Sequence, residues 1–382
     1  MMEMRYIAKD IPLWQVTIWD KKFNNVDKKW QPKTIKYKYL LSDELDSLRV
    51  DDGDVRILYT GKDVGFTTEE LAGDRLSEGE IISIPWGGIP TVKYHKGKFV
   101  TGDNRIATSK DIDKLTNKYL YYFMRGNIHE IASYYRGASL KHPCMKDILK
   151  MTISYPSVQE QDKICGQFDV LEQIIEVRKQ ELQLLDDLIK ARFVEMFGNP
   201  DLNEKEWDIN KMERLCEVSS SKRIYQNEQS VIGIPFLRIS DLVNRMDTGS
   251  KECDLYIPEE KYEELKDQGL VPIKGDILLT ARGTLGRCYI IQENDEFYFQ
   301  DGMITWLSNF NEKITSLYIA YLFSMPGFRK QIDALQAGST VAYLSISMTK
   351  KLDIMVPPIE LQNQFADFVH QVDKSKVIEI IK

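Results

Sequence analysis

The chain has 382 residues, 43% of them hydrophobic and 10% aromatic, which is enough for two or three domains that each bury a core. No apolar run approaches the roughly 18 residues of a membrane span, and the first residues lack the apolar segment of a signal peptide. The five cysteines are scattered and form no Cys-x-x-Cys pair, so we expect reduced thiols and a cytoplasmic protein rather than disulfides or a zinc site.

The charge is unevenly distributed along the chain. A net charge of −7 at first disfavours a polyanionic partner, but the location of charge matters more than its total. Residues 91–150 carry 12 Lys and Arg against 5 Asp and Glu, whereas residues 199–272 carry 10 against 16. A basic surface is therefore expected in the first half, although ordinary variation of surface charge explains the same counts equally well.

Residues 1–156 predict a mixed α/β domain. Short segments rich in β-branched and aromatic residues predict strands, and these lie at 14–19, 55–59, 81–84 and 98–101. A Gly-Gly-Ile-Pro turn follows the third of them. Apolar and aromatic residues at helical spacing predict a helix over 117–136, which Gly137 would end.

Residues 157–198 predict one long helix with a heptad seam. The seam consists of Ile164, Phe168, Leu171, Ile175, Leu182, Leu185 and Ile189, with Arg178 as its interruption. No proline or helix-ending glycine occurs between Gln167 and Phe197, and Gly198-Asn-Pro200 then ends the helix. A helix from Glu160 to Phe197 would be about 57 Å long, which exceeds the diameter of a small domain.

Residues 199–356 predict a second domain with the same plan, with strands at 232–239, 277–280 and 289–291 and a helix at 316–335. Residues 357–382 predict a shorter heptad helix, whose seam is Leu361, Phe365, Phe368 and Val372. Two apolar seams on one chain predict that the two helices pair. An antiparallel coiled coil is favoured, because a parallel pair would crowd the two domains that the helices follow.

The two halves repeat each other at the sequence level. Pairs of like residues recur at an offset of 201, namely Gly137 and Gly338, Pro156 and Pro357, and Gln161 and Gln362, while Gly79 and Gly275 recur at 196. Such a period exceeds the roughly 20–50 residues of a solenoid repeat. It predicts an α+β protein with two copies of a whole domain, each followed by a helix, which could contact two like sites at a fixed separation.

These residues resemble a known family, the DNA-specificity subunits of Type I restriction–modification systems. The resemblance is carried by Tyr155-Pro-Ser-Val-Gln-Glu-Gln161, Val356-Pro-Pro-Ile-Glu-Leu-Gln362, Lys190–Pro200, Ile234–Leu242 and Gly338–Val341. It covers essentially the whole chain. Two features depart from the family pattern: the C-terminal helix is about 15 residues shorter than the central one, and only the second domain shows part of the Gly/Ser loop, at Ser219–Arg223.

The resemblance implies that each domain is a target-recognition domain that reads one half of a bipartite double-stranded DNA sequence. The helices would act as the spacer between the half-sites and would dock two methyltransferase subunits. A nuclease–translocase subunit would join the full complex. S-adenosylmethionine, ATP and magnesium would then be bound by these partners, and this chain would need no cofactor.

The sequence shows no catalytic apparatus of its own. Neither a Gly-x-x-x-x-Gly-Lys-Ser/Thr phosphate loop nor a Gly-x-Gly-x-x-Gly turn occurs. Pro357-Pro358 has the apolar neighbours Val356 and Ile359, so it lacks the polar residue of an amino-methyltransferase loop. The four histidines have no metal-ligand spacing. Residues 282–287 predict a hairpin whose glycines let a ligand approach the backbone.

Duplex binding needs cations for phosphates and long polar side chains for base edges. In the first domain the candidates are Lys93, Tyr94, Lys96, Lys98, Arg105, Arg136, Ser139, Lys141 and His142. In the second they are Lys222, Arg223, Tyr225, Arg282, Thr284, Arg287, Ser339, Thr340 and Tyr343. Any single one of them could equally be a solvated surface residue, and the recognised bases and spacer length do not follow from the sequence.

The leading hypothesis is therefore a non-catalytic, sequence-specific DNA-binding subunit. Two alternatives stay open. One is a coiled-coil scaffold that binds only proteins, and the other is a DNA methyltransferase or restriction enzyme whose catalytic part is cryptic.

Overall fold

The structure is a computed structural model that describes residues 8–20, 34–61, 64–336 and 342–381. It divides into two compact units, Met1–Glu176 and Val177–Lys382, and the division falls inside one long helix. No helix within the described ranges is both long and apolar enough to cross a bilayer.

Unit 1 is a mixed α/β domain. Its strands are β1 (Ala8–Pro12), β2 (Thr17–Asp20), β3 (Thr34–Ile35), β4 (Val55–Leu58), β5 (Val64–Thr67), β6 (Ser77–Pro85), β7 (Lys93–Thr101), β8 (Asn104–Ser109), β9 (Tyr135–Arg136), β10 (His142–Pro143) and β11 (Thr152–Tyr155). Its helices are α1 (Leu13–Val16), α2 (Ser42–Ser47), α3 (Glu69–Ala72), α4 (Asn117–Gly126), α5 (Ile128–Ser133) and α6 (Met145–Ile148), and α7 (Val158–Phe197) begins in this unit.

A seven-stranded sheet with the order β3-β2-β8-β6-β7-β4-β5 forms the body of unit 1. Strand β6 lies at its centre, and residues 81–85 are all buried because both faces of the sheet are covered. Ile82 and Ile84 pack into the core that holds Leu120 and Met124 of α4, whereas Ile81 belongs to a cluster on the other face. Strand β1 pairs with β11, so the first and last strands of the domain lie together.

Unit 2 contains β12 (Asp208–Lys211), β13 (Glu217–Ser219), β14 (Ile234–Leu237), β15 (Tyr256–Ile257), β16 (Ile277–Thr280), β17 (Cys288–Ile290), β18 (Tyr298–Phe299), β19 (Ile304–Ser308) and β20 (Asp353–Val356). Its helices are α8 (Ile239–Thr248), α9 (Glu259–Asp267), α10 (Ser316–Ser324), α11 (Pro326–Gln336), α12 (Ile346–Lys350) and α13 (Ile359–Ile381). A second sheet, β15-β14-β18, lies beside a four-stranded sheet, β13-β19-β16-β17.

The two units share the topology of four central strands and of one outer strand pair, which confirms the predicted domain repeat. The order β13-β19-β16-β17 matches β2-β8-β6-β7, and every neighbouring pair is antiparallel in both sheets. Strand β12 pairs with β20 as β1 pairs with β11. The helix pairs α4–α5 and α10–α11 then occupy the same place in the chain order.

The last third of α7 packs against α13 inside unit 2. The rings of Phe193 and Phe197 lie 5.5 and 5.4 Å from that of Phe365, and Lys376 pairs with Asp186 at 2.7 Å. Because positions rise along α13 as they fall along α7, the helices are antiparallel, as predicted. Their shared cluster holds Ile189, Val369 and Val372 at its core and Leu185, Leu361 and Phe368 at its edge.

The seam of α7 behaves differently in unit 1. Phe168 stacks on Tyr122 of α4 with ring centroids 4.9 Å apart, so it packs on its own domain. Leu171 and Ile175 are 52% and 54% exposed, which the expected pairing does not account for. Ile164 and Leu182 are half-buried. Heptad spacing thus marks an apolar face, but the partner of that face changes along the helix.

Several predicted elements have different bounds in the structure. Residues 13–16 form a helical turn instead of the start of a strand, because the backbone N–H groups of Leu13 and Trp14 donate to carbonyls near residue 150. The helix predicted over 117–136 breaks at Asn127 and ends at Ser133. The helix predicted over 316–335 breaks before Pro326, which has no N–H and starts α11.

Candidate nucleic-acid interface

A pair of adjacent loops in unit 1 holds several of the predicted DNA-binding residues. The loop after β6 (86–92) lies against the segment 136–142, and together they are called cluster 1. The Gly88 N–H donates to the Lys141 carbonyl at 3.3 Å, and Nδ1 of His142 donates to the Trp86 carbonyl at 2.6 Å. The rings of Trp86 and His142 lie 5.3 Å apart. These contacts hold two segments, about 50 residues apart in the chain, as one surface.

Unit 2 has the corresponding pair of loops. The turn between β16 and β17 (281–287) lies against residues 342–344, and together they are called cluster 2. The Leu344 N–H donates to the Ala281 carbonyl at 3.0 Å, and the Arg282 guanidinium lies 4.8 Å from the centre of the Tyr343 ring. The predicted hairpin at 282–287 is therefore present, with Gly283 and Gly286 at φ +69° and +74°, where glycine is favoured.

The two clusters occupy equivalent positions of the repeat. Trp86 and Arg282 differ by 196 residues, and His142 and Tyr343 by 201, which are the two offsets of the sequence repeat. In each unit the side chains of these two residues contact each other across the two loops. The same backbone frame thus carries Trp and His in one unit and Arg and Tyr in the other, so the two surfaces present different chemistry.

Cluster 1 exposes polar and apolar side chains together. Ser139 and Lys141 are exposed, and Lys141 makes no ion pair within the part of the chain that the structure describes. Arg136 is exposed but pairs with Asp147 at 2.8 Å. Hydrogen bonding from Cys144 and the nearby Arg136 charge lower the pKa of Asp147, which therefore stays ionised as a partner. Lys141 is accordingly the cation that cluster 1 leaves available.

Cluster 2 likewise contains one arginine with no carboxylate partner among the described residues and one that is paired. Arg282 and Thr284 are exposed, and the structure gives Arg282 no carboxylate partner among the described residues. Arg287 is half-buried and pairs with Asp247 at 2.6 Å, and this arginine lowers the pKa of Asp247. Since a guanidinium that is already paired has fewer donors for a base edge, Arg282 is the better-placed of the two. The predicted Ser339 and Thr340 lie outside the described residues.

The predicted DNA-binding residues on β7 contact carboxylates or main-chain carbonyls of unit 1. Tyr94 donates to Glu80 at 2.7 Å, and burial raises its pKa, so it stays neutral. Lys96 lies 3.6 Å from Glu80, and Lys98 pairs with Glu69. Lys93 donates to main-chain carbonyls of residues 59 and 61. Only Lys93 adjoins the loop of cluster 1, because Lys98 lies five residues, or about 17 Å, further along the strand.

Arg105 does not fit a contact with DNA. Its side chain is fully buried in β8, where it pairs with Asp20 at 3.0 Å and with Asp103 at 2.5 Å. The guanidinium also lies 4.7 Å from the centre of the Trp86 ring. Arg105 therefore supports the loop of cluster 1 from below instead of reaching a phosphate. The sequence signals its positive charge but not its burial.

The loop at 220–225, which follows β13, is a separate basic segment that contacts β18. The backbone N–H of Lys222 donates to the hydroxyl of Tyr298 at 2.8 Å, and the lysine side chain is exposed. Arg223 pairs with Asp301 at 2.8 Å, and this hydrogen bond raises the pKa of Arg223. Tyr225 is 61% exposed. Lys222 and Tyr225 thus keep side chains that a ligand could reach.

Sequence reasoning missed three residues of cluster 1. Ile89 and Leu140 are 73% and 54% exposed at the tips of its two loops, and Trp86 joins the loops. The Gly87–Pro90 turn signal was sufficient to locate the first loop, but not its neighbour in space. No group of three His, Cys, Asp or Glu side chains in the described ranges is placed to hold a metal ion.

The fold and the sites define a class: a protein with two copies of one α/β domain, each carrying a matched pair of exposed loops and each followed by a helix. A family model described as "Type I restriction modification DNA specificity domain" matches residues 45–186 and 204–382. The chain therefore belongs to this family, the specificity subunits of Type I restriction–modification systems.

Individual relatives agree with this assignment. A predicted type I restriction enzyme specificity subunit of Haemophilus influenzae is 26% identical over 78% of this chain and 75% of its own length. The type I restriction enzyme MjaVIII specificity subunit of Methanocaldococcus jannaschii is 22% identical over 84% of this chain and 77% of its own length. The crystal structure of an S subunit from M. genitalium covers 99% of this chain and 92% of its own, with a TM-score of 0.55 and 15% identity, which shows a shared fold.

Proposed function

We propose that this specificity subunit reads a bipartite double-stranded DNA sequence, with cluster 1 at one half-site and cluster 2 at the other. The chain itself carries out no catalysis. Two methyltransferase subunits would bind S-adenosylmethionine, and a nuclease–translocase subunit would use ATP and magnesium in the full complex.

The observation that carries the proposal is the match between the two clusters. Each pairs the loop after the same strand with the same later segment, and each leaves one cation without a carboxylate partner among the described residues, Lys141 in cluster 1 and Arg282 in cluster 2. Lysine serves well as a point charge for phosphate, whereas arginine can donate two parallel hydrogen bonds to guanine. Different side chains on one frame support recognition of two different half-sites.

The long helix supports the spacer and docking roles. Helix α7 has 40 residues, or about 60 Å at 1.5 Å per residue, and it continues without a break from one unit into the next. In its first half Val170, Leu171 and Ile174 are 53%, 52% and 50% exposed. Exposed apolar side chains clustered on a helix are typical of a protein-binding surface. We assign this face to methyltransferase docking.

The experiment is to co-express the chain with its methyltransferase and to map methylated bases across the host genome. We expect two short sequences separated by a spacer of constant length. Replacing residues 281–287 with the corresponding loop of another family member should change one half-site and leave the other intact.

Three outcomes would contradict the proposal. A single continuous target would remove the two-site reading. Methyl transfer by the purified chain with S-adenosylmethionine alone would indicate an enzyme. Absence of duplex binding in the presence of the methyltransferase would favour a scaffold that binds only proteins.

A further inference from the structure

A buried glutamine sits where α7 leaves the first domain. Gln161 lies in the first turn of α7 and is fully buried. Its Oε1 accepts from the Thr116 N–H at 2.9 Å, and its Nε2 donates to the carbonyls of Lys114 and Pro156 at 2.7 and 2.8 Å. One side chain thus joins the loop before α4, the exit from β11 and the start of the helix.

The same arrangement recurs where α13 leaves the second domain. Gln362 is 1% exposed, and its Oε1 accepts from the Thr315 N–H at 2.9 Å. Its Nε2 donates to the carbonyls of Lys313 and Pro357 at 2.9 and 2.8 Å. Each of the two glutamines, with its hydrogen bonds to a threonine N–H and to two carbonyls, is called a glutamine clamp.

In each domain a second, equivalent set of hydrogen bonds links the glutamine clamp to the neighbouring helix and strand. Thr116 and Thr315 cap α4 and α10 by accepting from the N–H groups of Tyr119 and Tyr318, each at 3.2 Å. The tyrosine hydroxyls then donate to carbonyls of β11 and β20, at 3.3 and 3.1 Å. The first turn of α7 is therefore linked to α4 and β11, and the first turn of α13 is linked in the equivalent way to α10 and β20.

A packing role alone does not explain this choice of residue. A buried amide is costly unless its hydrogen bonds are made, and a methionine of similar length would fill the space without that cost. What the amide adds is direction, because its acceptor and both of its donors lie in one plane and each is engaged. That plane fixes the first turn of the helix relative to the domain.

We propose that Gln161 and Gln362 are positioning residues, which set the angle at which each helix leaves its recognition domain and so restrict the half-site spacing that the protein accepts. This inference rests on the proposed function. If the junction between domain and helix is rigid, the length of the helix fixes the distance between the half-sites. If the helix can pivot at that junction, the protein can also bind half-sites at neighbouring distances.

The test compares Gln161→Met with Gln167→Met, which changes an exposed glutamine on the same helix. Each variant, in complex with the methyltransferase, selects from a duplex library in which the half-sites are constant and the spacer length varies. For Gln161→Met we expect discrimination against spacers one base pair too long or short to fall by about tenfold, which is within the usual range of coupling between linked sites. Half-site preference should stay the same, and Gln167→Met should behave as the wild type. Gln362→Met should repeat the effect at the second clamp.

A merely structural glutamine would lower thermal stability without changing spacer discrimination, and that result in folded variants would overturn the inference. Failure of both Gln161→Met and Gln362→Met to fold would do the same. If the wild type itself selects no spaced pair of half-sites, the proposed function is wrong, which is distinguishable because the control library then shows no spacer preference at all.

Discussion

Arg282 offers the sharpest test of the candidate interface. It is exposed, its guanidinium carbon lies 4.8 Å from the centre of the Tyr343 ring, and among the described residues it has no carboxylate partner. Replacing it with alanine removes an exposed cation–π contact, which costs the fold only about 0.5–1 kcal/mol. If Arg282 reads a guanine, the same change should cost about 1–3 kcal/mol of binding, or roughly 5- to 150-fold in affinity.

Arg287→Ala is the matched control on the same hairpin. Arg287 pairs with Asp247, and both side chains are largely open to solvent, so the pair contributes little to stability. Because its guanidinium is already engaged, we expect its loss to leave DNA affinity nearly unchanged.

The assay is a titration of a labelled duplex with the methyltransferase complex at constant salt, repeated with each base pair of both half-sites replaced in turn. Arg282→Ala should relax the preference at one position of one half-site. Equal losses for Arg282→Ala and Arg287→Ala, or none for either, would refute the assignment, because pairing with Asp247 would then not decide which arginine reaches the DNA.

Four further outcomes follow from the structure. Affinity for the duplex should fall steeply with salt concentration, because lysine and arginine side chains that contact phosphates release the counterions held by the DNA. An affinity that does not change with salt would argue against phosphate contacts. Phe365→Ala removes a fully buried ring and should lower the free energy of unfolding by about 3–5 kcal/mol. Phe368→Ala removes a half-buried ring and should lower it by less, and denaturant titration measures both variants. Burial raises the pKa of Asp276, so between the unfolded pKa of about 3.9 and the higher folded pKa the native state binds more protons than the unfolded state, and stability falls as pH rises through that range. Asp276→Asn should therefore stabilise the protein at pH 7, and the gain should shrink toward pH ~4; an equal gain at both would be contradictory. Inserting seven residues after Glu176 should lengthen α7 by about 10 Å, close to three base pairs at about 3.4 Å each, and the mapped spacer should grow accordingly.

Much of the architecture follows from local patterns. The offset of 201 predicts the domain repeat, and the heptad spacing predicts α7 within two residues of its observed start. Glycines and their neighbours predict the hairpin at 282–287. These features are readable because periodicity and turn chemistry act between residues that are close in the chain.

The breaks and the strand order are less accessible. Asn127 and Pro326 divide helices whose apolar spacing continues across the break. The seven-stranded order of unit 1 brings β2 beside β8 and β4 beside β7, and no local signal specifies such partners. Local propensity competes there with packing against the rest of the domain, and packing prevails.

The sequence by itself determined that this chain has two like domains, two helices with apolar seams and a surplus of cations over residues 91–150. Only the tertiary structure decided which cations of either domain a ligand can reach. Arg105 is buried against Asp20, 85 residues away, and Arg287 is paired with Asp247, 40 residues away, whereas Arg282 and Lys141 are exposed. Burial and ion pairing depend on residues that are distant in the chain, so the availability of a charge is a property of the fold and cannot be assigned from the residue type.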